Sequence, residues 1–305
     1  MSGIRDVFEI LPEKIRNILQ MEPDISTIQE VRIKINKNII YLKDKKEKVC
    51  NYICTKEDLD YIVRKISNYS IYAFEEELKQ GYITLSGGHR IGLCGACVVD
   101  QDKIKTIKDI GSINIRISKN IEGCANKVLK HIIYGENILN TIVISPPKCG
   151  KTTLIRDIAK NVSDGISEYN FKGKNTCIID ERSEIAACYR GIPQMNVGLR
   201  TDILDNCPKS FGIMMAIRSM APEVIVCDEI GTYEDMKSIV MALNCGVSII
   251  TTIHGNNIED LFNRPVFKEV IDNKVFKRAI VLNNKNKIGN VQHIYDFVKN
   301  QYIEV

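Results

Sequence analysis

Tryptophan is missing from all 305 residues, and histidine occurs only four times. A protein that grips single-stranded nucleic acid needs a basic stripe interleaved with stacking aromatics. Here the charge runs mix Asp and Glu with Lys, and the net charge is only +4, so nucleic acid is not the favoured partner. No stretch reaches the roughly 18 apolar residues of a membrane-spanning helix; work at a membrane therefore requires recruitment to it. The start, MSGIRDVFEILPEKIRNIL, is charged throughout and amphipathic, unlike a secretory leader with its apolar centre. Internal repeats and low-complexity tracts are also missing.

Cysteine, by contrast, is plentiful: eleven residues, odd in number and scattered. Without a leader, that pattern predicts reduced thiols in a cytoplasmic protein. Cys94 and Cys97 form one CxxC, and Cys50 and Cys54 a looser pair, which falls short of the two tight pairs of a structural zinc site. Within RIGLCGACVVD these cysteines read as small apolar strand residues. A content of 44% hydrophobic and 26% charged residues suits a soluble globular chain with sizeable cores. The length suggests two domains.

Hydrophobic patterning divides the chain in the same way. Residues 1–23 read as one helix, with Ile4, Val7, Phe8, Leu11, Ile15, Ile18 and Leu19 apolar. In IQEVRIKINKNIIYL, Val31, Ile33 and Ile35 alternate with Arg32 and Lys34, a strand period. Residues 43–48 read as the solvated tip of a hairpin, and helices are expected over 56–67 and over 71–81, ending at Gly81. Glycine-broken strands then run to residue 118, giving a small α+β domain over 1–118. Over 119–305 the helix CANKVLKHIIY precedes apolar strands NTIVIS, NTCIID, EVIVCD and VSIITTIH, which alternate with helices. That pattern predicts an α/β domain with a mostly parallel sheet covered on both faces. VFKRAIVLNNKNKIGNVQHIYDF reads as a terminal hairpin with a polar tip.

The chemistry begins at IVISPPKCGKTTLIR, residues 142–156. It nearly fits the phosphate-binding pattern G-x-x-x-x-G-K-[ST] between a strand and a helix. Such a loop binds through consecutive backbone N–H groups and the positive end of the helix. Lys148, Cys149, Gly150, Lys151 and Thr152 can all donate, since the N–H-lacking Pro146 and Pro147 come earlier. Lys151 can reach the β- and γ-phosphates and Thr152 can ligate Mg²⁺. Ser145 stands where the pattern has its first glycine, which costs something only if that position needs φ > 0.

Three further strands end in polar groups. Val224–Cys227 is followed by Asp228 and Glu229, Thr176–Ile179 by Asp180 and Glu181, and the last strand ends in Thr252 and His254. Ligands of open α/β sheets bind at these carboxyl ends. One acid can hold Mg²⁺ and the other polarise the attacking water; Glu229 is assigned to the water and Asp228 to Mg²⁺, with the two roles interchangeable on sequence alone. His254 suits a γ-phosphate-sensing role rather than that of a general base.

Phosphate loop, Asp/Glu-tipped strand, AIRSMAPEVIVCDEIG and TTIHG in this order resemble the ATPases of type II and type IV secretion systems and the pilus motors. GGHRIGLCG, INIRIS, PPKCGKTTLIRDIA, IIDERSEIAA and CDEIG together resemble the stage III sporulation protein AA family over nearly the whole chain. The resemblance implies a RecA-like P-loop core behind an N-terminal domain, a hexameric homo-oligomer, and ATP and Mg²⁺ as ligands. It further implies an integral membrane partner in the channel between mother cell and forespore, approached from the mother-cell side. Carried over by position, Pro147 to Thr153 (Pro147, Lys148, Cys149, Gly150, Lys151, Thr152, Thr153) would line the nucleotide. Asp180 and Glu181 would be the acidic box, Glu229 the catalytic acid and His254 the His-box residue. Arg116, Arg182, Arg200 and Arg218 are candidates for contacting the γ-phosphate within or between subunits. The family's loop usually reads GPPGCGKT, so Ser145 and Lys148 both replace glycines. Two rival readings remain: an ATP-gated assembly scaffold with little hydrolysis, and a nucleic-acid-dependent ATPase.

Overall fold

The computed structural model describes residues 3–67, 75–283 and 289–304. The chain divides into two compact units, one of residues 1–119 with 187–194 and one of residues 120–186 with 195–305.

The first unit opens with two helices, α1 (Gly3–Ile10) and α2 (Glu13–Gln20), instead of the single helix expected. Pro12 is the cause: it takes an extended ψ of 147° and becomes the N-cap of α2, because proline disfavours helix in the residue before it and lacks the N–H a continuing helix needs. Strands β1 (Ile28–Lys34), β2 (Asn38–Lys43) and β3 (Lys46–Ile53) follow. Val31 and Ile33 point into the core while Arg32 and Lys34 are exposed. The β2–β3 turn is only Asp44 and Lys45, both at positive φ. Lys43 is not solvated: it is buried, and its ammonium donates to the Pro23 carbonyl beside Glu22.

Helix α3 (Lys56–Ile66) starts at a reciprocal Thr55–Asp58 capping box. Of the helix expected over 71–81, α4 (Glu75–Gln80) is present and stops at Gly81, φ 78°; residues 71–74 lie outside the described residues. Strands β4 (Tyr82–Thr84), β5 (Arg90–Asp100) and β6 (Lys103–Arg116) complete an antiparallel sheet in the order β3-β2-β1-β6-β5-β4. Cys94 and Cys97 are exposed on β5, in the part of the β5–β6 ribbon that runs beyond the buried Leu93, so they are not the core residues their apolar neighbours suggested. Residues 187–194 group with this unit, and the Gln194 side-chain oxygen accepts from the Gly87 N–H at 2.7 Å.

The second unit begins with α5 (Asn126–Ile132) and a two-stranded ribbon, β7 (Ile133–Tyr134) and β8 (Asn137–Ile138). Strand β9 (Thr141–Ser145) leads through the loop into α6 (Lys151–Asp164), followed by a second ribbon, β10 (Gly165–Ile166) and β11 (Phe171–Lys172). Then come β12 (Thr176–Asp180), β13 (Thr201–Asp205), α7 (Lys209–Ser219), β14 (Val224–Cys227), α8 (Tyr233–Asn244) and β15 (Ser248–His254). Short helices α9 (Glu259–Phe262) and α10 (Lys268–Asp272) precede β16 (Arg278–Asn283), β17 (Asn290–Asp296) and β18 (Gln301–Ile303).

These strands form one sheet ordered β13-β12-β14-β15-β9-β16-β17-β18, parallel from β13 to β16. Every residue of β9, β12 and β14 is buried, as strands covered on both faces by helices must be. The terminal hairpin is β16–β17, but β16 also pairs in parallel with β9 and so extends the main sheet. Its tip, residues 284–288, lies outside the described residues. Among the described residues no helix is long and apolar enough to cross a membrane.

Candidate functional site

Strand order places the site. Strand β15 lies between β9, which feeds the loop, and β14, which carries the two acids. All three run the same way, so the loop, His254 and the Asp228–Glu229 pair emerge from one edge of the sheet. The register sets His254 opposite Ser145.

The loop itself settles which glycine replacement matters. Ser145 continues β9 as ordinary strand; it is fully buried and its hydroxyl donates to the Pro146 carbonyl at 2.8 Å. Nothing there requires glycine. Lys148, however, sits at φ 60°, and Gly150 at φ 90°; a left-handed lysine carries the steric cost that glycine avoids. Cys149 is buried, and its carbonyl accepts from the Gly289 N–H at 2.8 Å. The first turn of α6 closes with Leu154 N–H on the Gly150 carbonyl at 2.9 Å. The amides of Lys151, Thr152 and Thr153 therefore precede the first intrahelical donor and have no helical acceptor, the usual anion-binding end.

Lys151 bends back from the loop. Its ammonium lies 2.6 Å from His254 Nδ1 and 3.3 Å from the Ser145 carbonyl. An ammonium can only donate, so in this contact Nδ1 accepts from Lys151. Nε2 is 3.1 Å from Glu229 Oε1, and Glu229 Oε2 is 3.4 Å from Arg182. The Glu229 N–H donates to Thr252 Oγ1 at 3.0 Å, which pins its backbone to β15. Burial lowers the Lys151 pKa, against the raising pull of Glu229.

A second cluster lies beside the first. Asp228 is 6% exposed, and its Oδ1 has no hydrogen-bond partner. Burial pushes its pKa up to about 6, with the Lys209 ammonium 3.9 Å away pulling it down. Lys209 also contacts the Glu181 carboxylate. Sequence reasoning missed this lysine. Its only signal is position: it opens α7 after Pro208, where a cation opposes the helix dipole.

Asp180 stands apart. It is fully buried, and its carboxylate accepts from the N–H groups of Glu184, Ile185 and Ala186 at 2.8, 2.9 and 2.8 Å. Burial moves its pKa up to about 6, opposed by those same amides. It anchors the turn after β12 and faces no open space, so its geometry is that of a fold organiser rather than of the catalytic group expected. Arg156 braces the same turn, donating to the Glu184 carbonyl at 2.7 Å and to that of Ile185.

Of the three candidate arginines in the second unit, Arg182 reaches this cluster and the other two do not. Arg200 donates to the Ser163 carbonyl at 2.9 Å, and its own carbonyl accepts from Thr176 at the start of β12. It caps the far end of α6, at the opposite edge of the sheet from the loop, which removes it from the γ-phosphate of its own subunit. Arg218 is exposed in the last turn of α7, which leads back to the start of β14. Arg116 is exposed at the end of β6 in the first unit.

Mg²⁺ fits this donor set. Thr152 lies at the helix start, and the buried, unpartnered Asp228 oxygen is of the kind that a hydrated dication satisfies.

Comparison with known proteins agrees with the fold. The family model described as sporulation stage III, protein AA matches residues 2–301. Stage III sporulation protein AA of Bacillus subtilis (strain 168) is 44% identical over 295 residues, covering 96% of this chain and 95% of that protein. The ATPase DotB of Yersinia pseudotuberculosis aligns with TM-score 0.61 and 12% identity over 94% of this chain and 80% of its own. The pilus retraction motor PilT, solved with bound ADP, aligns with TM-score 0.60 and 15% identity over 93% and 80%. At such identities the likeness is one of fold: a RecA-like core with a large, mostly parallel sheet.

Proposed function

The chain belongs to the stage III sporulation protein AA family, and from that premise we propose that it is a Mg²⁺-dependent ATPase that works as a homo-oligomeric ring. On this reading residues 119–305 form the ATPase domain and residues 1–118 an N-terminal domain. The ring is hexameric and is recruited from the mother-cell cytoplasm to an integral membrane component of the channel to the forespore. ATP hydrolysis does mechanical or assembly work on that component.

One observation carries the reading: the series of polar contacts Arg182–Glu229–His254–Lys151 across adjacent strand ends, beside the open amides of α6. Each residue then has a task. Amides from Lys148 to Thr153 hold the phosphates, with Pro147 shaping the approach. Lys151 leaves His254 and the Ser145 carbonyl for the β- and γ-phosphate oxygens. Glu229, held by Thr252 at its backbone and by His254 at its side chain, accepts a hydrogen bond from the attacking water and aligns it. His254 reports through Nδ1 whether Lys151 is engaged. Thr152 and Asp228 would hold Mg²⁺, which when bound neutralises charge on the β- and γ-phosphates. Arg182, paired with Glu229, is the arginine of this cluster within reach of phosphate.

The test is steady-state phosphate release from Mg²⁺–ATP over a wide range of protein concentration, with Lys151→Ala alongside. Specific activity should rise with concentration and vanish in the variant. ATP-dependent oligomers with no release above the variant would replace the motor with a nucleotide-gated scaffold.

A further inference from the structure

Lys209 is unaccounted for by the steps above. It is a lysine with 7% of its side chain exposed, inserted between carboxylates on two adjacent strand ends: Glu181 after β12, in direct contact, and Asp228 after β14, at 3.9 Å. Local preference does not put it there, because the first position of a helix disfavours a cation. Desolvating an ammonium is also costly unless it is paired. What compensates is the charge around it. Asp180, Glu181 and Asp228 leave these two strand ends within a few residues of one another, and Arg156 and Arg182 are turned towards the 184–185 carbonyls and Glu229. Lys209 is the foremost of the cations acting on Asp228, ahead of Arg182.

The remaining fact is the Asp228 oxygen. Oδ1 is buried and has no hydrogen bond, even to Lys209, whose distance is that of a charge contact only. A carboxylate so placed would attract any small divalent cation in the cell, with or without nucleotide. We propose that Lys209 is a resident counter-cation that reserves Asp228 for a divalent ion arriving with nucleotide. Without nucleotide its charge occupies the field of Asp228, so a free dication gains little there. When a dication enters already bound to phosphate oxygens, those phosphates supply the additional ligands, and Lys209 stays paired with Glu181. Lys209 is thus a residue that selects the metal–nucleotide complex over the bare metal. This rests on the ATPase reading, because it takes Asp228 to face the nucleotide's metal.

The measurement is Mn²⁺ binding by electron paramagnetic resonance of free Mn²⁺, on the full-length protein, with and without ATP. ATP binding in the absence of metal is followed in parallel with a fluorescent analogue. Wild type should bind Mn²⁺ tightly only with ATP, whereas Lys209→Met should bind it without nucleotide about tenfold or more tightly than wild type, as removal of a unit charge at this range implies. Lys209→Arg, which keeps the charge, should restore the nucleotide requirement. Should Lys209→Met fail to fold, Glu181→Gln serves: with Glu181 neutral, Lys209 has only Asp228 to pair with, and Mn²⁺–ATP binding should weaken. Equal nucleotide-free Mn²⁺ affinity in wild type and Lys209→Met, or stronger Mn²⁺–ATP binding in Glu181→Gln, overturns the inference while leaving the ATPase reading intact. Metal-free ATP binding that survives Lys151→Ala, with no Mn²⁺ taken up by any variant in its presence, overturns both.

Discussion

The loop departs from the glycine pattern twice, and the two departures should respond oppositely to restoration. At Lys148, φ 60° imposes the left-handed penalty of a side chain with a Cβ, about 1–2 kcal/mol. Glycine removes that penalty and loses about 0.5–1 kcal/mol in chain entropy. The net effect of Lys148→Gly is therefore a gain of about 0.5–1 kcal/mol. At Ser145 the backbone is ordinary strand, so glycine relieves nothing. Ser145→Gly adds the same entropic loss and removes the hydroxyl bond to the Pro146 carbonyl, about 1 kcal/mol more. The two variants should thus differ by about 2–3 kcal/mol, or about 4–12 °C in Tm for a unit of this size. Differential scanning calorimetry on purified proteins reads this directly. Isothermal titration with ATP supplies the functional half: neither residue's own side chain is needed for the amide cradle, so both affinities should stay within about tenfold of wild type, or about 1.4 kcal/mol. Were Ser145→Gly to melt at or above Lys148→Gly, or to gain more than that in affinity, the backbone account of this loop would be wrong.

Glu229→Gln should abolish phosphate release while ATP binding persists, since Gln keeps the shape of the side chain beside His254 but cannot polarise water; turnover that survives in this variant removes Glu229 from the catalytic role. Asp180→Ala leaves three backbone N–H groups in the core without their acceptor and should cost about 3 kcal/mol or more, read by urea unfolding. Asp228 has a folded pKa raised from 3.8 to about 6, so the folded chain holds its proton more tightly than the unfolded chain. The stability this contributes is present below about pH 4 and is lost as pH rises through about 6, to a total of about 3 kcal/mol. Asp228→Asn should therefore lose less stability than wild type between those pH values in parallel denaturant titrations, and an identical pH dependence would contradict the burial of this carboxylate.

Much of this arrangement was readable beforehand for a physical reason. Buried parallel strands are continuous apolar runs, so NTIVIS, NTCIID, EVIVCD and VSIITTIH announce themselves, and a polar pair at each end marks the edge where a parallel sheet binds ligands. What a sequence cannot carry is how the two acids of each pair divide. Along a strand, neighbours point to opposite faces, so Asp180 turns into its own loop while Glu181 turns to Lys209, and Asp228 is buried while Glu229 reaches His254. The residue letters of the two pairs are nearly interchangeable; only strand order and the neighbouring turn tell them apart. Lys209 was invisible for a related reason, since it is distant in sequence from both acids it joins. The break at Pro12 was legible and overridden: the apolar period on both sides continues, but proline decides the backbone.

The site is a closed set of charge pairs. Glu229 has Arg182 and His254, Lys151 has His254 and the Ser145 carbonyl, and Lys209 has Glu181 and Asp228. A triphosphate cannot enter such a set without displacing partners, because Lys151 can serve the phosphates only by leaving Nδ1 of His254. Once it leaves, that nitrogen is free to take a proton or a new donor, and the His254–Glu229 bond changes strength with it. On the ATPase reading, Glu229 is therefore coupled to occupancy of the phosphate loop through one imidazole lying on the strand between them. The position of β15 between β9 and β14 is what makes that coupling geometrically direct: a sheet with the loop strand and the acid strand adjacent would have no side chain in place to carry it.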